Sequence, residues 1–325
     1  MNCLEPPPEI FRILSHFIHI FSTPAYCIAL LSLFLIKSKF FTTYRIFLIW
    51  HVIENLCFEL YSAFLVQPAV HPPYPLIRTT GLLSQWGVSS LIQIYVITTS
   101  IEFNGISINE MFYFRYKACL LNYKDHAFTH FLRVNIYLAR MLTVFDIVFA
   151  VLTIDDAVEF QQTLRNSFFQ SSPNATYLKC STVFILPAFS NYISTFLTVI
   201  WLVQTTIPIF IVPGVAVYVN KNVEKSVSAA TWKVQQQLLR SLSIQALIHG
   251  VMLGIPNFMV LYALFFGYQE ESFGYFAILS LMYHGFVSTL AMIFFTRPLR
   301  GCIAERLRLR KKVSMKVSMT TSNTI

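Results

Sequence analysis

The stretch GYFAILSLMYHGFVSTLAMIFFTRPLRGCIAERLRLRKK, residues 274–312, changes abruptly from apolar to basic. Its first 23 residues, Gly274 to Thr296, contain no Asp, Glu, Lys or Arg. At about 1.5 Å per residue, an apolar helix of this length covers about 35 Å, enough for a hydrocarbon core of about 30 Å. The basic residues must stay in water or among lipid headgroups. The junction therefore predicts a membrane-spanning helix that ends at a membrane surface.

The composition of the whole chain agrees with this prediction. Of the 325 residues, 55% are hydrophobic and 12% are charged, and the mean hydropathy is +0.59, whereas a soluble domain has about 25% charged residues. Long apolar runs without strand-like alternation predict helices, because backbone groups in lipid must be hydrogen-bonded within the segment. Seven such helices are expected, at about 11–36, 44–67, 86–114, 132–152, 192–219, 238–266 and 274–296.

We therefore expect an all-α integral membrane protein, a seven-helix bundle that forms one domain over residues 1–312. Beyond the last helix, Leu299, Ile303 and Leu307 recur at a spacing of four among arginines. This pattern predicts a short amphipathic helix, 299–312, that lies in the membrane interface. Cys302 would lie close to the bilayer there and is a candidate lipidation site. Residues 313–325 are expected to be a disordered tail.

The distribution of positive charge predicts the orientation in the membrane. If every run spans, 19 of the 24 Lys and Arg residues fall on one side. Because cytoplasmic loops are enriched in Lys and Arg, the N-terminus is expected outside and the C-terminus in the cytoplasm. The glycosylation sequon at Asn174 falls on the predicted outer side. Cys3 and Cys180 are the two cysteines predicted on that side, where oxidation is permitted, and we expect them to form a disulfide.

The second apolar run carries His51, Glu54 and Glu59 in an otherwise apolar helix. Ionisable side chains inside a membrane are costly and usually face the bundle interior, so these residues are candidates for a functional role. The alternative is that one carboxyl group is protonated and simply bonds a neighbouring helix. In the sixth run, Pro256 marks a point at which the helix can bend.

No pattern typical of an enzyme is present. The sequence has no HExxH, P-loop, GxGxxG or GxSxG motif and no paired-cysteine metal spacing. His249 and His284 stand singly in apolar helices, and we interpret them as core residues. We therefore predict no catalytic residues, no metal site, no cofactor and no binding of nucleic acid.

Three stretches resemble the nematode serpentine chemoreceptors, most closely class h (Srh), with class i (Sri) and the Str superfamily as near neighbours. The first is Thr231-x3-Gln235-x2-Leu238-Leu239-x2-Leu242-x2-Gln245 at the foot of the sixth helix. The second is His284-Gly285-x2-Ser288-Thr289 followed by Pro298-Leu299-Arg300, and the third is Pro24-Ala25-Tyr26-Cys27 with His51 and Glu59. Two positions depart from the family pattern: Leu299 replaces the usual tyrosine, and Glu59 replaces an aspartate. In addition, Phe114 and not an acid precedes Arg115, so the DRY-type ionic lock of rhodopsin-like receptors is absent.

The resemblance implies a G-protein-coupled chemoreceptor at the plasma membrane of a sensory cilium. Its expected partners are membrane lipids and a heterotrimeric G protein, and a second copy of the chain is a further candidate. A small extracellular cue is expected among the outer halves of the helices. By depth and chemistry, the candidate ligand-binding residues are Trp86, Gln93, Phe196, Tyr262 and Phe276. The candidates for contact with the G protein are Arg115, Lys225, Lys233 and Arg240. Glu54, Glu59 and His284 are expected in the polar core. The alternative function is a seven-helix subunit of a ligand-gated ion channel, which a cytoplasmic N-terminus would favour.

Overall fold

The structure is a computed structural model that describes residues 8–36, 42–70, 76–119, 127–171, 178, 180–185, 229–266, 271–296 and 298–306. Within these ranges, five helices are long and apolar enough to cross a membrane: Glu9–Leu35, Tyr44–Val66, Ser90–Phe114, Thr129–Leu152 and Ser272–Phe295. The predicted fifth helix, 192–219, lies outside the described residues. The predicted sixth is present as a continuous helical segment with a change of geometry in its middle. The fold class predicted from the sequence, a helical membrane bundle, is confirmed.

The elements follow one another in this order. The first half contains α1 (Glu9–Leu35), α2 (Thr42–Leu60) with a π-helical turn (Tyr61–Val66), β1 (Pro68–Val70), β2 (Leu76–Thr79), α3 (Leu82–Gln85) and α4 (Ser90–Cys119). The second half contains α5 (Ala127–Leu152), α6 (Ile154–Ser171), β3 (Val183–Ile185), α7 (Ala229–His249), a π-helical turn (Gly250–Gly254), α8 (Ile255–Phe266) and α9 (Glu271–Phe295). Residues 298–306 form a final helix, α10.

An apolar core lies between α1, α2, α4, α7 and α9. Its fully buried side chains include Tyr26, Leu48, Phe112, Leu242 and Met292, one from each of these helices. Leu299 of α10 closes this core at one end and is 0% exposed. We call this the basic end, because among the described residues Arg45, which donates to the carbonyl of Ile36, and Arg300, next to Leu299, lie there. We call the opposite end the cap end.

The cap end carries a three-stranded antiparallel sheet in the order β1-β2-β3. Ala69 pairs with Arg78, and Ile77 pairs with Phe184. The sequence did not predict these strands, because each has only three or four residues and prolines interrupt the segment. They form because the sheet is covered on one side: Leu76, Val183 and other residues pack against α6.

Helix α6 was not predicted either, since the sequence placed only an outer segment after residue 152. It follows α5 directly, with Asp155 and Asp156 in its first turn, where acidic side chains are stabilised by the helix dipole. Its buried face recurs at helical spacing, with Gln161, Leu164, Arg165 and Phe168 turned toward the sheet. Burial lowers the pKa of Arg165, whose guanidinium donates to the carbonyl of Val183 at 3.1 Å.

Helix α4 begins four residues later than predicted. The chain forms the short α3 first, and Gly87 then adopts a positive φ of 79°, a conformation that glycine reaches without strain. From Ser90 to Cys119, α4 has 30 residues and measures about 45 Å. It contacts α2, α5 and α7, whereas α9 contacts α1, α2, α7 and α8.

Helices α2 and α9 approach each other closely at Gly285. A Cβ atom added there would lie 2.6 Å from the Cβ of Asn55 and 2.8 Å from its Cγ. Such distances are too short for two carbon atoms, so this crossing requires a residue without a side chain.

We therefore expect Gly285→Ala to lower the free energy of unfolding by about 1–3 kcal/mol, the usual cost of overpacking. The measurement is the midpoint of thermal unfolding of the purified protein in detergent. Gly105→Ala is the matched control, because nothing lies within 4 Å of the added Cβ there and alanine favours a helix. Asn55→Gly should partly restore the Gly285→Ala protein, and equal effects of the two alanine substitutions would contradict the packing argument.

Candidate functional site

Two buried polar clusters lie inside the bundle. The first surrounds Glu59 in the cap half of α2, whose side chain is 0% exposed. Its Oε1 accepts a hydrogen bond from Ser22 and lies 2.9 Å from the Nδ1 of His19. Its Oε2 accepts from the hydroxyl of Tyr26 at 2.9 Å. We call these four residues the Glu59 cluster. All three partners come from α1, so the carboxyl group holds α1 to α2.

Aromatic rings enclose the Glu59 cluster on the cap side. The His19 ring stacks on Phe64 with centroids 4.5 Å apart and meets the edge of Tyr283 at 5.8 Å. The Tyr283 hydroxyl donates to the carbonyl of Ser15, which ties α9 to α1. This half of the bundle is therefore a joint of three helices with nearly every polar group paired.

The second cluster lies at the middle of the bundle and contains three histidines from three helices. The ring centroids of His51 and His249 are 5.2 Å apart, and those of His249 and His284 are 4.9 Å apart. All three side chains are at most 1% exposed. The Nδ1 of His51 lies 2.7 Å from the Oγ of Ser107 in α4. We call His51, His249 and His284 the histidine cluster, and it joins α2, α4, α7 and α9.

Many polar atoms around the histidine cluster have no hydrogen-bond partner in the described part of the chain. They are the Nε2 of His51, His249 and His284, the amide oxygen and nitrogen of Asn55, the Nε2 of Gln245, and the hydroxyls of Ser288 and Thr289. Buried polar atoms without partners are rare because each costs free energy. In the Glu59 cluster, by contrast, one such atom is found among the described residues, the Nε2 of His19.

The carboxyl group of Glu54 is connected to the histidine cluster through Ser107. Glu54 interacts with the Ser107 side chain and with Trp50, and the same serine contacts His51. Glu54 is only partly buried, unlike Glu59. The two acids of α2 therefore have different roles in packing, although both appear in the sequence as glutamates within the same apolar run.

Directly beyond His249, the helix changes to π geometry at Gly250–Gly254 and then continues as α8. Pro256 has no backbone N–H, so the carbonyl of Met252 lacks the donor that an ordinary α-helix would supply four residues later. The hydroxyl of Ser280 in α9 donates to this carbonyl at 3.1 Å. The π-helical turn, where the sequence predicts that the sixth helix can bend, thus accepts a hydrogen bond from a side chain of the predicted seventh helix.

Polar pairs also connect α4 to α5. Glu110 forms an ion pair with Arg140, Thr143 donates to Glu102 at 3.0 Å, and Tyr95 donates to Asp146 at 3.3 Å. These pairs were not among the predicted site residues. Single acids in apolar helices indicated that partners must exist, but only the structure shows which helix supplies them.

The residues predicted to bind a ligand do not share one buried site. Gln93 is fully buried, and its amide donates to Ser84 and to the carbonyl of Val88. Trp86, Tyr262 and Phe276 are 70%, 54% and 58% exposed, and Phe196 lies outside the described residues. The histidine cluster, in contrast, gathers His284 with His249, which was interpreted as a separate core residue.

The residues predicted to contact a G protein fall at or near the basic end where they are described. Arg240 is exposed on α7, Arg115 lies in the last turns of α4 and Lys233 in the first turns of α7, and these two helices contact one another. Lys225 lies outside the described residues.

The structure describes only some of the predicted modification sites. Cys180 is buried and is part of a disulfide, whereas Cys3 and the sequon residue Asn174 lie outside the described residues. Cys302 is a free thiol on α10 with intermediate exposure.

Among the described residues, no group of three or more His, Cys, Asp or Glu side chains has an arrangement that could hold a metal ion.

Comparison with known families now adds to this geometry. The family model of the serpentine type 7TM GPCR chemoreceptor Srh matches residues 6–309. The chain belongs to the Srh family. No curated protein matches it. The match confirms the resemblance to class h, and it places the chain among receptors and not in an enzyme family.

The Srh motif residues occupy buried positions of the bundle. His284, Ser288 and Thr289 are all at most 2% exposed, and Gly285 provides the crossing with Asn55. Leu299, which departs from the expected tyrosine, is fully buried in the apolar core, where its side chain needs no hydrogen-bond partner. The departure is therefore compatible with the packing that surrounds it.

The Glu59 cluster leads to a prediction for stability. Glu59→Leu leaves the buried donors of Ser22 and Tyr26 without an acceptor, so we expect the free energy of unfolding to fall by about 2–4 kcal/mol. Tyr26→Phe removes one donor only and should cost about 1 kcal/mol. Both are measured by thermal unfolding in detergent. An unfolding midpoint for Glu59→Leu equal to that of the unaltered protein would show that α1 is held to α2 by apolar packing alone.

Proposed function

We propose that this Srh receptor binds a small extracellular chemical cue and signals to a heterotrimeric G protein. The observation that carries the proposal is the family match over residues 6–309. In the proposed orientation the N-terminus and the cap end face outward, and the C-terminus faces the cytoplasm at the plasma membrane of a sensory cilium. The same proposal includes four further features: a single domain over 1–312, the pairing of Cys3 with Cys180, glycosylation of Asn174 and lipidation of Cys302.

The helices divide into a fixed and a movable part. Hydrogen bonds of the Glu59 cluster and of Tyr283 hold α1, α2 and α9 together. The segment from α7 to α8 is joined to α9 by the hydrogen bonds Ser241–Thr296 and Ser280–Met252, but polar atoms of His249 and Gln245 lack partners in the described residues. A ligand changes an equilibrium between two conformations only through different affinity for the two. A cue that contacts the histidine cluster would supply such a difference to the movable segment.

Movement of α7 would change the arrangement of cations at the basic end. Its first turns carry Lys233 and its middle carries Arg240, and α7 contacts α4, whose last turns carry Arg115. In the proposal these cations contact the G protein when α7 moves away from α4, and the bend at Pro256 provides the change of direction.

Signalling of the expressed receptor tests this function. Arg115→Ala is expected to abolish the response to an activating compound from a panel of small odorants while surface expression is kept. The matched control is Arg133→Ala, an exposed cation of α5 at the same end with no proposed role in coupling. If both variants signal normally, Arg115 does not contact the G protein. If epitope tags place the N-terminus in the cytoplasm, the receptor proposal is wrong.

The hydrogen bond from Ser280 to Met252 leads to a second prediction. Ser280→Ala removes the contact that holds α9 to the bend, so we expect higher signalling without ligand and a loss of at most about 1 kcal/mol in stability. Ser100→Ala is the control, because that hydroxyl donates only to a carbonyl of its own helix, Val96. Unchanged basal signalling in Ser280→Ala would mean that this hydrogen bond does not oppose activation.

A further inference from the structure

The tautomers of two histidines in the histidine cluster are fixed by their partners. The Nδ1 of His249 lies 3.0 Å from the carbonyl oxygen of Gln245, and the Nδ1 of His284 lies 2.5 Å from that of Leu281. A carbonyl oxygen only accepts hydrogen bonds, so each Nδ1 carries the proton. In a neutral imidazole the other nitrogen, Nε2, is then an acceptor. Both rings are 0% exposed, so two buried lone pairs need a donor.

The surroundings of these lone pairs also contain donors. The amide nitrogens of Gln245 and Asn55 have no partner in the described ranges. Gln245 lies one helical turn before His249, and Asn55 contacts the backbone at Gly285, next to His284. Acceptors and donors without partners therefore occur together. A hydroxyl group fits this set because it donates once and accepts as well, whereas an ammonium group only donates and a carboxylate only accepts.

The charges around the histidine cluster also indicate that the partner is neither a carboxylate nor an ammonium group. A buried ion needs a partner of opposite charge, since the cost of removing it from water is large. Around the histidine cluster, the structure gives no carboxylate in direct contact with an imidazole ring, and Glu54 reaches His51 only through Ser107. The described residues also contain no arrangement of His, Cys, Asp and Glu that could hold a metal ion. The partner of this site is therefore neutral.

We propose that the histidine cluster is a binding site for a neutral hydroxyl group, which donates to the Nε2 of His249 or His284 and accepts from the amide of Gln245 or Asn55. The hydroxyl group belongs either to the chemical cue, in which case the cue is a small alcohol, or to a bound water molecule. The first case rests on the proposed receptor function. The site itself does not, because its polar atoms need partners whatever the protein does.

Two substitutions of His284 separate the roles of its nitrogens. Asparagine keeps a donor near the position of Nδ1 and removes the ε position, while glutamine keeps a polar atom near the position of Nε2. If the site binds a hydroxyl group, His284→Gln should retain binding and His284→Asn should lose it. If His284 serves only through its bond to the Leu281 carbonyl, the order is reversed. His249→Asn and His249→Gln repeat the comparison, in case the His284 variants fail to fold.

The experiment measures thermal unfolding of the purified full-length receptor with a series of straight-chain primary alcohols and the methyl ethers of the same alcohols. Alcohols are expected to raise the unfolding temperature of the unaltered protein and of His284→Gln, at concentrations at least about tenfold lower than the ethers. They should have no such effect on His284→Asn. This result would identify the cue as an alcohol.

The other outcomes are equally informative. If no alcohol acts, but His284→Asn unfolds at a lower temperature than His284→Gln, a water molecule supplies the hydroxyl group and the site stands. If ethers act as well as alcohols, or if asparagine and glutamine have equal effects at both histidines, the proposal is wrong. Binding is measured without a G protein, so alcohol-specific stabilisation without signalling would overturn the proposed coupling and leave the hydroxyl site intact.

Discussion

A carboxyl group between helices that cross a membrane cannot obtain hydrogen bonds from solvent, so the neighbouring helices must supply them. Glu59 meets this requirement through Ser22, Tyr26 and His19, all on α1. The three partners recur at spacings of three and four residues, so they lie on one face of α1. They fix both the rotation of α1 about its axis and its depth relative to α2. The position of α9 follows, because Tyr283 donates to Ser15 on the same helix.

The histidine cluster lies only two to three helical turns away, and there the neighbouring helices do not supply all the hydrogen bonds. Its rings pack against one another, yet their Nε2 atoms and the neighbouring amides lack partners in the described residues. A joint with satisfied hydrogen bonds is rigid, and a joint without them is easily rearranged because little is lost when it opens. One sequence therefore builds a fixed connection and a labile one from the same residue types, histidine, serine and a carboxylic acid.

The sequence predicts those parts of the fold that depend on hydropathy and on charge. Lipid enforces long apolar helices, and the basic residues after Thr296 mark where the last one ends. The sequence does not predict the strands of the cap, because each contains only three or four residues and each depends on packing against helices distant in the chain, β2 and β3 against α6 and β1 against α9. The amphipathic spacing of Gln161, Leu164, Arg165 and Phe168 was the available signal for α6, but its polar composition is also typical of a loop.

The candidate site could be predicted only residue by residue. Glu59, Glu54 and His284 attract attention because a titratable group in an apolar helix is costly. Which of them are neighbours depends on the rotation of each helix, and the hydropathy of α9 hardly varies around its circumference. His249 and His284 therefore appear in the sequence as two unrelated histidines. Their contact at 4.9 Å is set by packing between α7 and α9.

The location of the bend decides which helix can transmit a change. The covalent chain is continuous from α7 to α8, but the π-helical turn and Pro256 interrupt its regular hydrogen bonding directly beyond His249. The Met252 carbonyl obtains its donor from Ser280 of α9, the helix that also carries His284. A rearrangement of the histidine cluster must therefore either keep α8 attached to α9 and turn α7 about the bend, or break this hydrogen bond. The first motion keeps the Ser280 hydrogen bond and acts instead on the 2.9 Å hydrogen bond between Ser241 of α7 and Thr296 at the end of α9. It is also the motion that displaces Lys233, which lies in the first turns of α7.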